Sequence, residues 1–326
     1  MKIAVLANLK KDVPFVKEHP PEDDYWDDLD EPITVRFVVH ALRKHGHQAK
    51  YIAPNLNVIR RLLNYKPDLC FNLCEGHFGV SREAQIPAVL DMLRLPYIGA
   101  GVLGMSLSHN KYMAKKIFHW VGLPTSDFIL VTKPDEMPSI DLEYPLFVKP
   151  AHEGTSIGIN ENALVQDKQN LLKQVQWVWS KVKAPILIEN YIEGREFTIS
   201  ILGNEVLPII EIVSPTGYYS NSQKEDENSE VYRVCPAQIS KEKKQELQIV
   251  ALEAMEVLEL YDLCRMDLRM DIQGGVYILE VNPLPLLLPD PEQASFVYSS
   301  YTAGYSYDAM LYRIVEVAAE RLGLKM

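Results

Sequence analysis

The chain has 326 residues, 47% hydrophobic and 24% charged, the balance of a soluble globular protein with enough core for two or three small domains. Its net charge is −11 and it carries no block of Lys or Arg, which argues against a nucleic-acid backbone as partner. No run approaches the roughly 20 apolar residues of a membrane span, and the opening Met-Lys-Ile-Ala-Val-Leu-Ala-Asn is too short an apolar run for a signal peptide.

Residues 1–105 alternate strand and helix. Ile3–Ala7 reads as a buried strand and Val35–His45 as an amphipathic helix ended by Gly46. Strand Ala49–Ile52, helix Val58–Asn64, strand Leu69–Leu73, helix Ala84–Leu93 and the short strand Tyr97–Ile98 follow. This βα repeat predicts a small parallel sheet. The acidic loop Glu22–Glu31 leaves the carboxyl end of the first strand, where open α/β sheets bind ligands; it suits a solvated loop or a lip that attracts a cationic substrate. Residues 106–190 predict helix Ser108–Val121, strand Leu146–Lys149, a loop Glu153–Gly158, helix Gln169–Val182 and strand Ile186–Glu189. Residues 191–326 hold further strands, a polar loop Ser220–Glu230, helix Lys241–Leu258, a hairpin and a last helix Tyr307–Leu322. Cys70, Cys74, Cys235 and Cys264 form no CxxC pair and are expected to be reduced, as in the cytoplasm.

The richest chemistry lies in Arg265–Asn282. Apolar and polar residues alternate on both sides of Gly274 and Gly275, which predicts a β-hairpin. A loop of two or four residues centred on the glycines puts Arg265, Asp267, Glu280 and Asn282 on one face. Met266, Leu268, Met270, Tyr277, Leu279 and Val281 then form the core face. Two carboxylates and an amide are hard oxygen donors that suit Mg²⁺ with phosphate oxygens completing the shell. The same face also suits a solvated surface with an ordinary Asp–Arg pair. Lys149 ends a strand and precedes a Gly/Ser/Thr turn rich in N–H donors, which can cradle phosphate, although Walker spacing is absent. Glu189 ends another strand, with Glu196 beyond it; such carboxylates can accept from a ribose hydroxyl or simply face solvent.

Taken together and in this order, these segments resemble the ATP-grasp ligases, most closely the D-alanine–D-alanine ligase family. The resemblance spans nearly the whole chain. It rests on Asn110-Lys111, Phe147-Val-Lys149-Pro150 with Glu153–Gly158, Ile188-Glu189 through Gly194-Arg-Glu196-Phe-Thr, Cys235-Pro-Ala, Arg265-Met-Asp267 and Glu280-Val-Asn282-Pro. It implies an α/β chain: a parallel-sheet pre-ATP-grasp domain (1–105), then a two-part ATP-grasp fold (106–190 and 191–326), itself α+β. It implies ATP and two Mg²⁺ ions, with Mn²⁺ an acceptable substitute, the metals held by Asp267, Glu280 and Asn282. Lys111 and Lys149 would contact phosphates, beneath a closing loop containing Glu153, Thr155 and Ser156. Glu189 would help recognise adenine, Glu196 the ribose, and Arg265 would stabilise charge as a carboxyl group is phosphorylated and attacked by an amine. The implied activity is ATP-dependent carboxylate–amine ligation through an acyl phosphate, on small molecules in the cytoplasm, with no nucleic-acid or membrane partner. Homodimers are common in such a family.

Several positions depart from the family pattern. The first turn is Ala7-Asn8-Leu9-Lys10 rather than glycine-rich, and Ile33 stands about where the family has a glutamate, with Glu31 close enough to substitute. Thr155 replaces a serine, and Lys224 is followed by Glu225 rather than tyrosine. Leu286 replaces a glycine whose N–H helps form the oxyanion hole, and leucine is strained there if φ is positive. These changes point to a pocket altered from that for D-alanine. D-Alanine–D-alanine ligation, ligation of another amino acid or small carboxylate in dipeptide or secondary-metabolite synthesis, and nucleotide binding without turnover in a regulatory protein all stay open at this level.

Overall fold

The computed structural model describes residues 1–13, 26–154, 157–215, 217 and 230–326. The expected parallel sheet is present: β1 (Lys2–Ala7), β2 (Gln48–Tyr51), β3 (Leu69–Leu73) and β4 (Tyr97–Ile98) lie in the order β2-β1-β3-β4. Strand β3 is buried along its whole length and β1 from Ile3 to Ala7, as strands covered on both faces must be. Helices α1 (Pro32–Lys44), α2 (Val58–Tyr65) and α3 (Gln85–Leu93) connect them. Pro32 opens α1, where its missing N–H leaves no bond unmade.

The single helix expected over Ser108–Val121 is two, α4 (Val102–His109) and α5 (Lys111–Val121). The break falls at Asn110, whose extended backbone (φ −95°, ψ 92°) and side chain, accepting from Met113 N, cap α5. Apolar residues run through the break, so periodicity alone does not reveal it. The cap fixes Lys111 as the first residue of α5. Next, β5 (Phe128–Val131), β6 (Leu146–Pro150), β7 (Leu164–Val165) and β8 (Ile186–Asn190) form an antiparallel sheet ordered β5-β8-β6-β7. Helix α6 (Lys168–Val182) covers it through Leu171, Val175 and Val178.

The third sheet contains β9 (Gly194–Leu202), β10 (Glu205–Val206), β11 (Ile210–Val213), β12 (Tyr232–Val234), β13 (Leu263–Asp271) and β14 (Val276–Asn282), ordered β12-β11-β9-β13-β14 with β10 on β9. The hairpin β13–β14 forms as expected, pairing Arg265 with Asn282 and Asp267 with Glu280. Its register then shifts between Asp267 and Leu268, leaving Leu279 without an opposite residue. In consequence Val276 and Ile278 are buried in the core where Tyr277 and Leu279 were expected, and Leu279 lines a cavity instead. The shift lies beyond the polar quartet, so that face survives it.

Helix α7 (Lys241–Val257) packs on the third sheet through Leu247 and Ala251, while α8 (Ser295–Thr302), unforeseen in the sequence, and α9 (Tyr307–Leu322) return to the first sheet. Met310, Leu311, Ile314 and Val315 of α9 share a core with Ile3, Val5, Val38 and Leu42. Asp262 pins this return, pairing with Arg321 (2.6 Å) and accepting from Gly99 N (2.8 Å). No helix among the described residues is long and apolar enough to cross a membrane.

At Gly194 the backbone has φ +149°, and a Cβ there would lie 2.0 Å from the Met270 carbonyl oxygen. Gly194→Ala is therefore expected to lose about 3 kcal/mol of stability. Gly46→Ala, with φ +82° but no atom within 4 Å, is expected to lose less. Melting temperatures of the two variants check this; equal shifts would mean that the strand contact is not limiting.

Candidate active site

The three sheets surround a cavity of about 980 Å³. Lys149, near the end of β6, is only 5% exposed, and Lys115, on α5, only 1%. Both pair with Glu189 of β8, at 2.6 and 2.8 Å, and Ser126 Oγ donates to the same carboxylate (3.0 Å). Burial alone would raise the Glu189 carboxyl; Lys115 and Lys149 outweigh burial and hold it at about 2. One turn before Lys115, the Lys111 ammonium meets Glu280 of β14 at 3.2 Å and donates to the Glu153 carbonyl oxygen. The lysines at i and i+4 thus share one face of α5.

Opposite lies the hairpin face. Arg265 pairs with Asp267 (3.1 Å), whose other oxygen accepts from Thr198 Oγ1 (2.8 Å). Asn282 Oδ1 accepts from Leu284 N (2.8 Å). Burial would raise the Glu280 carboxyl, but Lys111, Lys149 and Arg265 hold it at about 2. Glu196 pairs with Arg269 (3.2 Å), yet burial dominates, with Asp267 and Glu280 adding to it, and its carboxyl is pushed up to about 7. Arg269 also donates to the carbonyls of Gly217 (2.6 Å) and Gly194 (2.9 Å). Among the described residues no three His, Cys, Asp or Glu side chains are placed to enclose an ion. Asp267, Glu280 and Asn282 offer two carboxylates and an amide oxygen, a partial hard-oxygen shell that fits Mg²⁺ when phosphate oxygens supply the rest.

The structure brings Lys149, Glu189, Glu196, Arg265, Asp267, Glu280, Asn282 and Leu286 into the lining of one cavity, with Lys111 ion-paired to one of its carboxylates. Other residues differ from expectation. Glu189 has both carboxylate oxygens engaged by lysines, Lys115 and Lys149, and is their counter-ion. The Glu153 carboxylate turns to Arg82 (3.2 Å) rather than into the cavity, and Arg82 also pairs with Asp28. Glu31 is exposed at the start of α1 and does not line the cavity; Asp27, Asp28 and Asp30 do. Leu286 lines the wall but is absent from the positive-φ residues, so it carries no left-handed strain. Thr155 and Ser156 of the first expected lid, and Lys224, Glu225 and nearly all of the second, lie outside the described residues.

Sequence reasoning passed over Lys115, Arg269 and Arg82. Helical spacing from Lys111 signals Lys115, and period-two spacing from Arg265 and Asp267 signals Arg269, because the register shift leaves β13 regular. Arg82 has no local signal, since its partners lie in distant segments.

With this geometry in place, comparison with known proteins identifies the family. Residues 117–316 match the family model described as D-ala D-ala ligase C-terminus. A D-alanine–D-alanine ligase of Pseudoalteromonas translucida is 32% identical over 86% of this chain and 89% of its own length. One from Nitrosococcus oceani is 32% identical over 87% of each, and the uncharacterized protein y4sG of Sinorhizobium fredii is 30% identical over 87% of each. A D-alanine–D-alanine ligase from Bacillus anthracis, crystallised in complex with ATP, matches over 98% of each chain with a TM-score of 0.74 at 23% identity. The chain belongs to the D-alanine–D-alanine ligase family and has its ATP-grasp fold. It is an enzyme of the ligase class.

The Glu189 ion pairs generate a prediction. The folded carboxyl, at about 2, lies below the unfolded value of 4.5, so its contribution to stability is complete above pH 4.5 and is lost as pH falls towards 2. Glu189→Gln should lower stability near pH 7 by about 3 kcal/mol, because it leaves two buried ammoniums without their anion. The gap between variant and parent should narrow near pH 3. Unfolding measured at both pH values checks this; a gap independent of pH would remove the ion pairs as its cause.

Proposed function

We propose that the protein is an ATP-dependent carboxylate–amine ligase of the D-alanine–D-alanine ligase type, joining two amino acids, or an amino acid and a small carboxylate, through an acyl phosphate in the cytoplasm. The observation that carries this reading is the hairpin quartet of Arg265, Asp267, Glu280 and Asn282 facing the same cavity as Lys149, with Lys111 bonded to Glu280. We read residues 1–105 as the pre-ATP-grasp unit and 106–190 and 191–326 as the two parts that enclose the nucleotide.

A carboxylate cannot acylate an amine directly, since oxide would have to leave. In the proposed reaction a carboxylate oxygen attacks the γ-phosphorus and ADP departs. The amine nitrogen then attacks the acyl carbon, phosphate leaves with the former carboxylate oxygen, and a proton is lost from nitrogen. Lys111 and Lys149 neutralise the phosphate oxygens, and the Glu189 carboxylate keeps Lys149 aimed at them. Arg265 stabilises the oxyanion of the tetrahedral intermediate. Asp267, Glu280 and Asn282 would hold Mg²⁺, which supplies charge neutralisation at the phosphates when bound. The acyl phosphate has to be kept from water, which is the task of a cover over the cavity.

Phosphate release from ATP and Mg²⁺ across a panel of D- and L-amino acids, with products read by mass, tests the reading. Amide product with equimolar phosphate is expected; phosphate release without amide, or no release, would contradict it. Glu280→Gln is expected to lower turnover by at least about 100-fold while the fold persists. Lys149→Ala should weaken ATP binding by about tenfold or more, measured by calorimetry, and unchanged affinity would remove the lysine from the phosphate site.

A further inference from the structure

The cavity wall made by the first sheet carries unbalanced charge. Nine carboxylates line the cavity. Five have the ion-pair partners already described, Asp27 pairs with Lys10 (2.5 Å), and Glu292 pairs with Arg233 (3.7 Å). That leaves Asp30 and Glu75, whose side chains have no ion pair or hydrogen bond among the described residues. The nearby guanidiniums are committed: Arg82 serves Asp28 and Glu153, and Arg265 serves Asp267, although Glu75 lies near enough to Arg265 to raise it.

Both carboxylates are held in place by the backbone. Glu75 follows the carboxyl end of β3, Asp30 precedes α1 and bridges to Leu9 just beyond the parallel neighbour β1, and Asn8, 5% exposed, ties the two segments together. Its carbonyl accepts from Asp30 N (3.1 Å) and its Oδ1 accepts from Gly76 N (3.0 Å). The turn after Glu75 is fixed as well, since Gly76 has φ +72° and a Cβ there would lie 2.5 Å from the Arg82 carbonyl oxygen. The backbone that carries each carboxylate is thereby fixed at the cavity wall. Burial pushes Asp30 up to about 7, with Glu31 adding to it. Burial also raises Glu75 well above the usual carboxylate range, helped by Glu83 and Asp28. An enclosed carboxylate without a cation is costly, and one fixed in a cavity wall is matched by a cationic ligand.

A zwitterionic amino acid with a neutral side chain brings one ammonium to these two carboxylates, while its own carboxylate belongs beside Arg265. An amino acid with a basic side chain brings two cations. We propose that the amino-acid end of this cavity selects a substrate with a cationic side chain, an amine or a guanidine, through Asp30 and Glu75. This rests on the ligase reading of the same site. Selection follows from what a neutral side chain leaves behind, a buried carboxylate without a partner.

The test uses the intact enzyme with ATP and Mg²⁺. Phosphate release is measured with the D- and L-forms of alanine, lysine, ornithine and arginine, for the parent, Glu75→Gln and Asp30→Asn. The basic acids should give kcat/KM at least about tenfold above alanine. Each variant should raise the KM for the basic acid by about tenfold, with the KM for ATP little changed. Melting temperature should stay level or rise, because each amide replaces a buried acid that has no partner to lose, whereas a merely structural carboxylate would lower it on substitution. Preference for alanine, or variants that keep the parent's KM for the basic acid, overturns this inference and leaves the ligase reading standing. Silence with every acid overturns the ligase reading itself and the inference with it.

Discussion

One buried carboxylate, Glu189, stands between two buried lysines, and the arrangement of the cavity follows from it. Taking three charged groups out of water costs several kcal/mol for each ion, and attraction inside the protein only partly offsets this. Such a cluster is a poor way to gain stability. What it provides is one ammonium in excess, held rigidly at the cavity where a polyanion can meet it. Glu189 lies on β8, Lys149 on β6 and Lys115 on α5, so the pairs lock the middle sheet to that helix. Lys111, at the start of the same helix, pairs with Glu280 of the third sheet. Two sheets are thereby set at a defined separation by five side chains.

A second set of ionic contacts joins the first sheet to that frame. Arg82 reaches Asp28 on one side and Glu153 on the other, and the Glu153 carbonyl accepts from Lys111. A path of direct contacts therefore runs from the acidic loop after β1 to the carboxylates of the hairpin. The end of the cavity that we propose for the nucleotide has its carboxylates matched by cations, while the first-sheet end keeps two that are not. The two ends are chemically distinct, as a ligase needs when a phosphoryl donor and an amino acid must meet without exchanging places.

Much of this was legible in the residues because periodicity is local. Period-two alternation identified the quartet on the hairpin, and βα alternation identified the parallel sheet, with Leu69–Leu73 and Tyr97–Ile98 at their observed bounds. The misreadings have physical causes. Leu279 and Tyr277 were assigned to the core because alternation assumes an unbroken register, and the shift opposite Leu268 breaks it. The helix break at Asn110 was hidden by apolar residues on both sides, although Asn followed by a helical run is a cap signal. The contact of the Glu153 carboxylate with Arg82 has no local signal, because Arg82 lies far off in sequence. Glu31 was favoured by proximity to a family position, yet its neighbours turn inward and it does not. Side-chain pairing across distant segments is what a single sequence conceals most completely.

The account stands on transfer of the γ-phosphoryl group to a carboxylate in this cavity. The most direct measurement supplies the active amino acid with ¹⁸O in its carboxyl group, together with unlabelled ATP and Mg²⁺, and determines the mass of the phosphate released. The account predicts one ¹⁸O in each phosphate, because the carboxylate oxygen leaves with it when the amine attacks. Unlabelled phosphate formed alongside amide product would show that the carboxyl group is activated in another way, and would contradict the acyl-phosphate mechanism.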